Sequence, residues 1–102
     1  MQLARVRGNV VASIKDAGLA SHKLLLLSPV TAADPGGDEG PFDAPVYAAI
    51  DLIGAGVGEI VLVAHGGAAR VAEGGGHAPT DAAVVAIVDT VQFDGRSTFI
   101  KR

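Results

Sequence analysis

The residues of this chain whose types and spacing could do chemistry are concentrated between Asp51 and Arg70, which reads DLIGAGVGEIVLVAHGGAAR. Gly54, Gly56 and Gly58 alternate between two apolar runs, flanked by the carboxylates Asp51 and Glu59 and followed by Arg70. Glycine accepts positive φ and lets another backbone come close, so the alternation suggests either a phosphate cradle or a tight backbone junction. A dinucleotide fingerprint needs G-x-G-x-x-G opening a helix after a strand. Here Glu59 stands where the third glycine belongs, and the β-branched run IVLV follows in place of a helix whose N-terminus could face a phosphate. There is no G-K-[ST], so a P-loop is absent too. The spacing favours the junction.

Other chemistries fare no better. His22, His65 and His77 are far apart and form no H-x-x-x-H pair, and the chain has no cysteine, so neither a metal nor a disulfide framework is expected. Ser13, Ser21, Ser28 and Ser97 lie in no G-x-S-x-G elbow. Asp51, Glu59, Asp81 and Asp89 stand beside apolar runs, where turn and edge positions explain them as well as catalysis does. Arg5 and Arg7 give one basic strand face. The stacking aromatics of a single-strand nucleic-acid site do not interleave with them, and the net charge is −3. No cofactor, enzyme activity or nucleic-acid partner is expected.

The elements that would position these residues are mostly strands. Residues 2–14 alternate, with Ala4, Val6, Gly8, Val10, Ala12 and Ile14 on one face and Arg5, Arg7, Asn9 and Ser13 on a wet one; Gly8 marks a bend or bulge. A turn over 15–21 leads to an apolar strand over 23–30. Residues 31–45 form an acidic Pro/Gly loop carrying Asp34, Asp38, Glu39 and Asp43. Strands are expected at 47–53 and 59–64, a short helix at 67–73 and a flexible Gly-rich loop at 74–79. Residues 82–91 hold six β-branched residues in ten positions and read as one strand. A last edge strand follows the Asp94–Gly95 turn over 98–101. Five or six strands with one short helix make a single mainly β domain over residues 1–102, a small barrel or sandwich; too few helices are present for a parallel α/β sheet.

The composition adds a constraint. Hydrophobic residues make up 49% and charged ones 19%, below the usual share of about 25%. The strands at 23–30, 59–64 and 82–91 are apolar on both faces, so neighbouring subunits are the economical cover. No apolar run reaches the ~18 residues of a membrane span, and the N-terminal segment lacks a signal-like apolar stretch, so a cytoplasmic protein without a membrane partner is expected.

Four segments in order also resemble the pentameric vertex proteins of bacterial microcompartment shells, the carboxysome and ethanolamine-utilisation type. MQLARVRGNVVASIK is similar to the family's opening strand and KLLLLSP to its second. DLIGAGVGE matches D-x-[IV]-G-A-G-x-G-[ED], and PTDAAVVAIVDTV matches P-[VT]-D-A-x-[VI]-[VI]-x-I-V-D-x-V. One departure stands out: Gly66-Gly67-Ala68-Ala69-Arg70 replaces the family's usual G-S-S-A-R, losing both hydroxyls. The resemblance implies an OB-like barrel with a short capping helix, assembled as a cyclic homopentamer that meets hexameric shell tiles and has no active site. The corresponding expectation is that Asp51, Gly54, Gly56, Gly58, Glu59 and Arg70 lie at the subunit interface, with Glu59 or Asp51 pairing Arg70 or Arg5 across it. The alternative reading is a small OB-like binding module for nucleic acid or a small ligand.

Overall fold

The computed structural model describes residues 1–37, 45–74 and 78–102. Its strands are β1 (Gln2–Val10), β2 (Lys23–Pro29), β3 (Tyr47–Asp51), β4 (Ile60–His65), β5 (Ala82–Ile87), β6 (Thr90–Phe93) and β7 (Arg96–Ile100), with one α-helix among the described residues, α1 (Gly67–Glu73), and a single 3-10 turn at Ala17–Leu19. Five strands close a barrel in the order β1-β2-β3-β5-β4, and β6 pairs with β7 as a separate two-stranded ribbon. Neighbours in the barrel run antiparallel except β3 and β5, which are parallel. A parallel pair needs a long crossover, and β4 with α1 supplies it.

Alternation along the strands fills the barrel. Val6, Leu25, Leu27, Val61, Val63 and Val84 point inward and are buried. Full burial of such a side chain is worth about 1.5–3 kcal/mol relative to exposure. A second cluster lies outside the barrel wall, where Ala69 of α1 covers Ile50 and Ala83, with Leu24, Leu52 and Val85 half-buried around it. This explains in part why two of the strands read as apolar on both faces: β2 and β5 serve one core inside through Leu25, Leu27 and Val84 and another beneath the helix through Leu24, Ala83 and Val85. The helix is short because Gly74 ends it in a left-handed conformation, φ 109°, its N–H donating to the Val71 carbonyl.

Several boundaries differ from the sequence reading. β1 ends at Val10 rather than at residue 14, since its partner β2 begins at Lys23 and the ladder stops at Val10–Leu24; Val11 and Ile14 are left exposed. The register shift between Val6 and Gly8 is the expected bulge. The polar face of β1 is not uniformly wet, because Arg5 is buried and donates to the carbonyls of Pro35 (3.3 Å) and Gly37 (3.0 Å). The start of the acidic loop therefore folds back onto the barrel wall. β3 stops at Asp51 and β4 starts at Ile60, so the glycine segment is a longer loop than expected. The expected strand over 82–91 is two strands, because the chain breaks at 88–89 and β6 leaves the barrel to pair with β7. β7 itself starts at Arg96, two residues before the expected edge strand. Of the loops at 31–45 and 74–79, residues 38–44 and 75–77 lie outside the described residues.

Candidate functional site

The loop from Leu52 to Glu59 is organised by the two carboxylates at its ends. Asp51, 8% exposed, accepts from the backbone N–H groups of Ile53 (3.1 Å) and Gly54 (3.0 Å) on one oxygen and of Ala55 (3.0 Å) on the other. Three N–H groups drawn to one side chain cannot also join a ladder, which is why β3 ends there. The same turn drives Ala55 inward, where it joins the barrel core as a plug. At the other end Glu59 accepts from the Gly56 N–H (2.6 Å) and pairs with Lys101 (2.7 Å) beside β7. The Lys101 hydrogen bond, with the Gly56 N–H second, holds the Glu59 carboxyl below its ordinary value, and the same contact raises Lys101. Backbone bonds from Val6 to the Glu59 carbonyl (3.0 Å) and from Gly58 to the Val6 carbonyl (2.8 Å) tie the loop to β1.

The glycines differ from one another. Gly54 and Gly58 adopt φ 84° and 91°, where an L side chain is strained, and among the described residues, apart from each glycine's chain neighbours, nothing lies within 4 Å of where a Cβ would stand. Gly56 has no positive φ; a Cβ there would meet only the tip of Glu59 at 3.4 Å. No part of the described chain thus occupies the space over Gly54 or Gly58, while Ile53 and Val57, the residues immediately before these two glycines, are 41% and 72% exposed. The loop is an apolar, side-chain-poor surface on a rigid base.

The structure brings Asp51, Gly54, Gly56, Gly58 and Glu59 into this one loop and sets Arg70 apart on α1, exposed, beyond the far end of β4. Arg5 pairs in register with Ile60, one residue from Glu59, but its guanidinium turns to residues 35–37. Its burial removes one of the two cations on which a nucleic-acid surface would depend. Lys101, missed from the sequence, is the cation Glu59 meets, and 42 residues of separation left no local signal for it. His22 lies 3.5 Å from Glu73, and His65 contacts Gln2 (3.0 Å) and the Tyr47 ring across a barrel mouth. His77 is outside the described residues. Among the described residues no three His, Cys, Asp or Glu side chains group as metal ligands.

A small closed five-stranded barrel with one short helix packed on its wall belongs to the OB-like class of β-barrels. The chain belongs to the family described as ethanolamine utilisation protein EutN/carboxysome, whose profile matches residues 1–89. It is 45% identical over its whole length to the carboxysome shell vertex protein CcmL of Synechocystis sp., covering 96% of that protein. It is similar in structure to CcmL of Gloeobacter violaceus (TM-score 0.82, 40% identity, 99% of this chain and 98% of that one). It also resembles GrpN, a pentameric microcompartment shell protein from Rhodospirillum rubrum (TM-score 0.72, 39% identity, 91% of this chain and 99% of that one).

Proposed function

We propose that this protein is a structural, non-enzymatic subunit that assembles as a cyclic homopentamer and closes the vertices of a cytoplasmic microcompartment shell. The observation that carries the reading is the end-to-end likeness to a protein named for that role, at 45% identity over 102 residues. The physical argument agrees. A layer of hexagonal tiles is flat, and a polyhedral shell needs five-fold units where its faces meet, so hexameric tiles are the partners at the rim. A ring of five uses one heterologous contact repeated around the axis. The Gly54–Gly58 loop supports one side of that contact, since its glycines are open, its Ile53 and Val57 are exposed, and its base is held by Asp51 and Glu59. In such a ring the exposed Arg70 of one copy serves the Glu59 carboxylate of the next, a surface pair worth at most about 1 kcal/mol. Asp51, with three backbone donors already, serves the loop itself.

Native mass spectrometry tests the assembly: five copies of the 10.2 kDa chain are expected, and a monomer or dimer at micromolar concentration defeats the proposal. Gly56→Leu tests the junction, because Gly56 is the loop glycine whose φ any residue adopts. The variant is expected to keep a β-rich circular dichroism spectrum and to lose the ring. An intact ring removes this loop from the interface.

A further inference from the structure

The β6–β7 ribbon is left over from the barrel. It lies beyond the family-matched residues 1–89, and neither of its strands packs broadly on a barrel strand. Its base is nonetheless fixed. Thr98 donates to the Ala32 carbonyl (2.5 Å), Phe99 lies against Gly36, and Lys101 holds Glu59. Its tip is not covered by the described chain. Phe93 is 47% exposed, the most exposed aromatic among the described residues, and Asp94 follows it at the turn. The base of the ribbon is thus anchored to the barrel, while the aromatic ring beside its turn is half-exposed.

A receiving surface exists elsewhere on the same protomer. Where β1 runs out and β2 begins, Val10, Val11 and Leu24 line a groove of about 190 Å³ together with Lys15, His22 and Lys23. That is below the roughly 300–1,000 Å³ of small-molecule pockets, and it suits one protein side chain. Val11 is 91% exposed, so among the described residues nothing covers its side of the groove. The two surfaces match in chemistry, an aromatic ring for an apolar lining and an aspartate for two lysines. They are different patches on one protomer, as a ring-forming contact requires.

We propose that the ribbon is an intersubunit arm: Phe93 of each copy seats between Val10, Val11 and Leu24 of the next, and Asp94 faces that copy's Lys15 and Lys23. This rests on the pentamer proposed above and adds a second contact to it, distinct from the glycine loop.

The chain has no cysteine of its own, so engineered pairs report cleanly. The double variant Phe93→Cys/Val11→Cys, oxidised as the assembled full-length protein, is expected to give a ladder of covalent species up to five copies on non-reducing gels. Every copy both gives and receives a link, so the ladder runs on. Each single-cysteine variant is expected to stop at two copies or fewer. Linkage confined to single chains, a stop at dimers, or no linkage overturns the arm. A second measurement does not depend on disulfide geometry. Phe93→Asp is expected to raise the concentration for half-assembly by about tenfold or more, as loss of an aromatic anchor does, with an unchanged circular dichroism spectrum. Unchanged assembly overturns the proposal. If the wild-type protein is pentameric while these tests fail, the arm alone is wrong; a wild-type monomer removes both proposals.

Discussion

Asp51 shows how a residue chosen for one role turns out to hold another. Its position beside the glycines is plain in the sequence, but its three backbone partners depend on the fold of the loop. Asp51→Ala leaves the buried Ala55 N–H without an acceptor, and a lost buried partner costs about 1–3 kcal/mol. A lower urea midpoint, measured at matched protein concentration, is the expected result; an unchanged midpoint means water or the backbone replaces the carboxylate. Glu59 and Lys101 make a pH-dependent pair. The Glu59 carboxyl is held below its ordinary 4.5, so its contribution is full above that value and lost as the pH falls through the depressed one. Lys101 is raised above 10.5, so its share is full below 10.5 and lost as the pH rises through the higher value. The side chains remain 24% and 40% exposed, so salt screens the pair and its stabilising effect is small. Lys101→Ala should lower the melting temperature near neutrality, with the gap to wild type closing in acid as the pH falls through the depressed Glu59 value, below its ordinary 4.5. A gap that persists in acid would assign the effect to lost packing.

At the scale of elements, short-range signals located most of the pieces. The Gly8 bulge and the Asp94–Gly95 turn fall where the sequence puts them, the latter with both central residues at positive φ, 54° and 80°. Asp-Gly is the preferred pair for such a two-residue hairpin because its twist suits the strands on either side. Gly95→Ala forces a β-carbon into that left-handed conformation at a cost of about 1–2 kcal/mol. Since the ribbon stands apart from the barrel, amide hydrogen exchange should quicken in residues 90–100 and stay unchanged in β1 to β5. Uniform loss of protection would mean that the ribbon and barrel unfold as one. The division of 82–91 into β5 and β6 was not legible. The apolar run continues through Val88, whose N–H still bonds the Ile60 carbonyl before the chain leaves the barrel at Asp89, and β-branched residues resume at Thr90 and Val91.

For the whole molecule, the excess of apolar residues is accounted for in two stages. Part of it fills the barrel, and part lies beneath α1, where Ala69 meets Ile50 and Ala83. Much of what remains exposed gathers near the ends of elements, with Val11 and Ile14 after β1, Ile53 and Val57 around the glycines, and Phe93 and Ile100 on the ribbon, while Val71 is exposed within α1. In the proposed ring of five copies these patches are the candidates for cover, and their separation suits a contact that repeats around an axis. A single protomer should therefore be more prone to aggregate than the ring. Assembly-defective variants such as Gly56→Leu should show greater light scattering on concentration than wild type, and equal scattering would argue that these patches stay exposed in both.

The sequence by itself determined the class of the fold, the bulge, the hairpin turn and the family, because each is written in local spacing: period-two alternation, a glycine in a strand, Asp-Gly between strands, four motifs in order. Only the tertiary structure decided what the alternating glycines are for within a protomer. Gly54 and Gly58 allow left-handed backbone while two carboxylates, one of them held by Lys101 from the far end of the chain, set the loop's shape. The same holds for Arg5, which reads as a wet strand residue and is buried under residues 35–37. Partners tens of residues apart meet only when the barrel closes, and no spacing along the chain encodes which of them will.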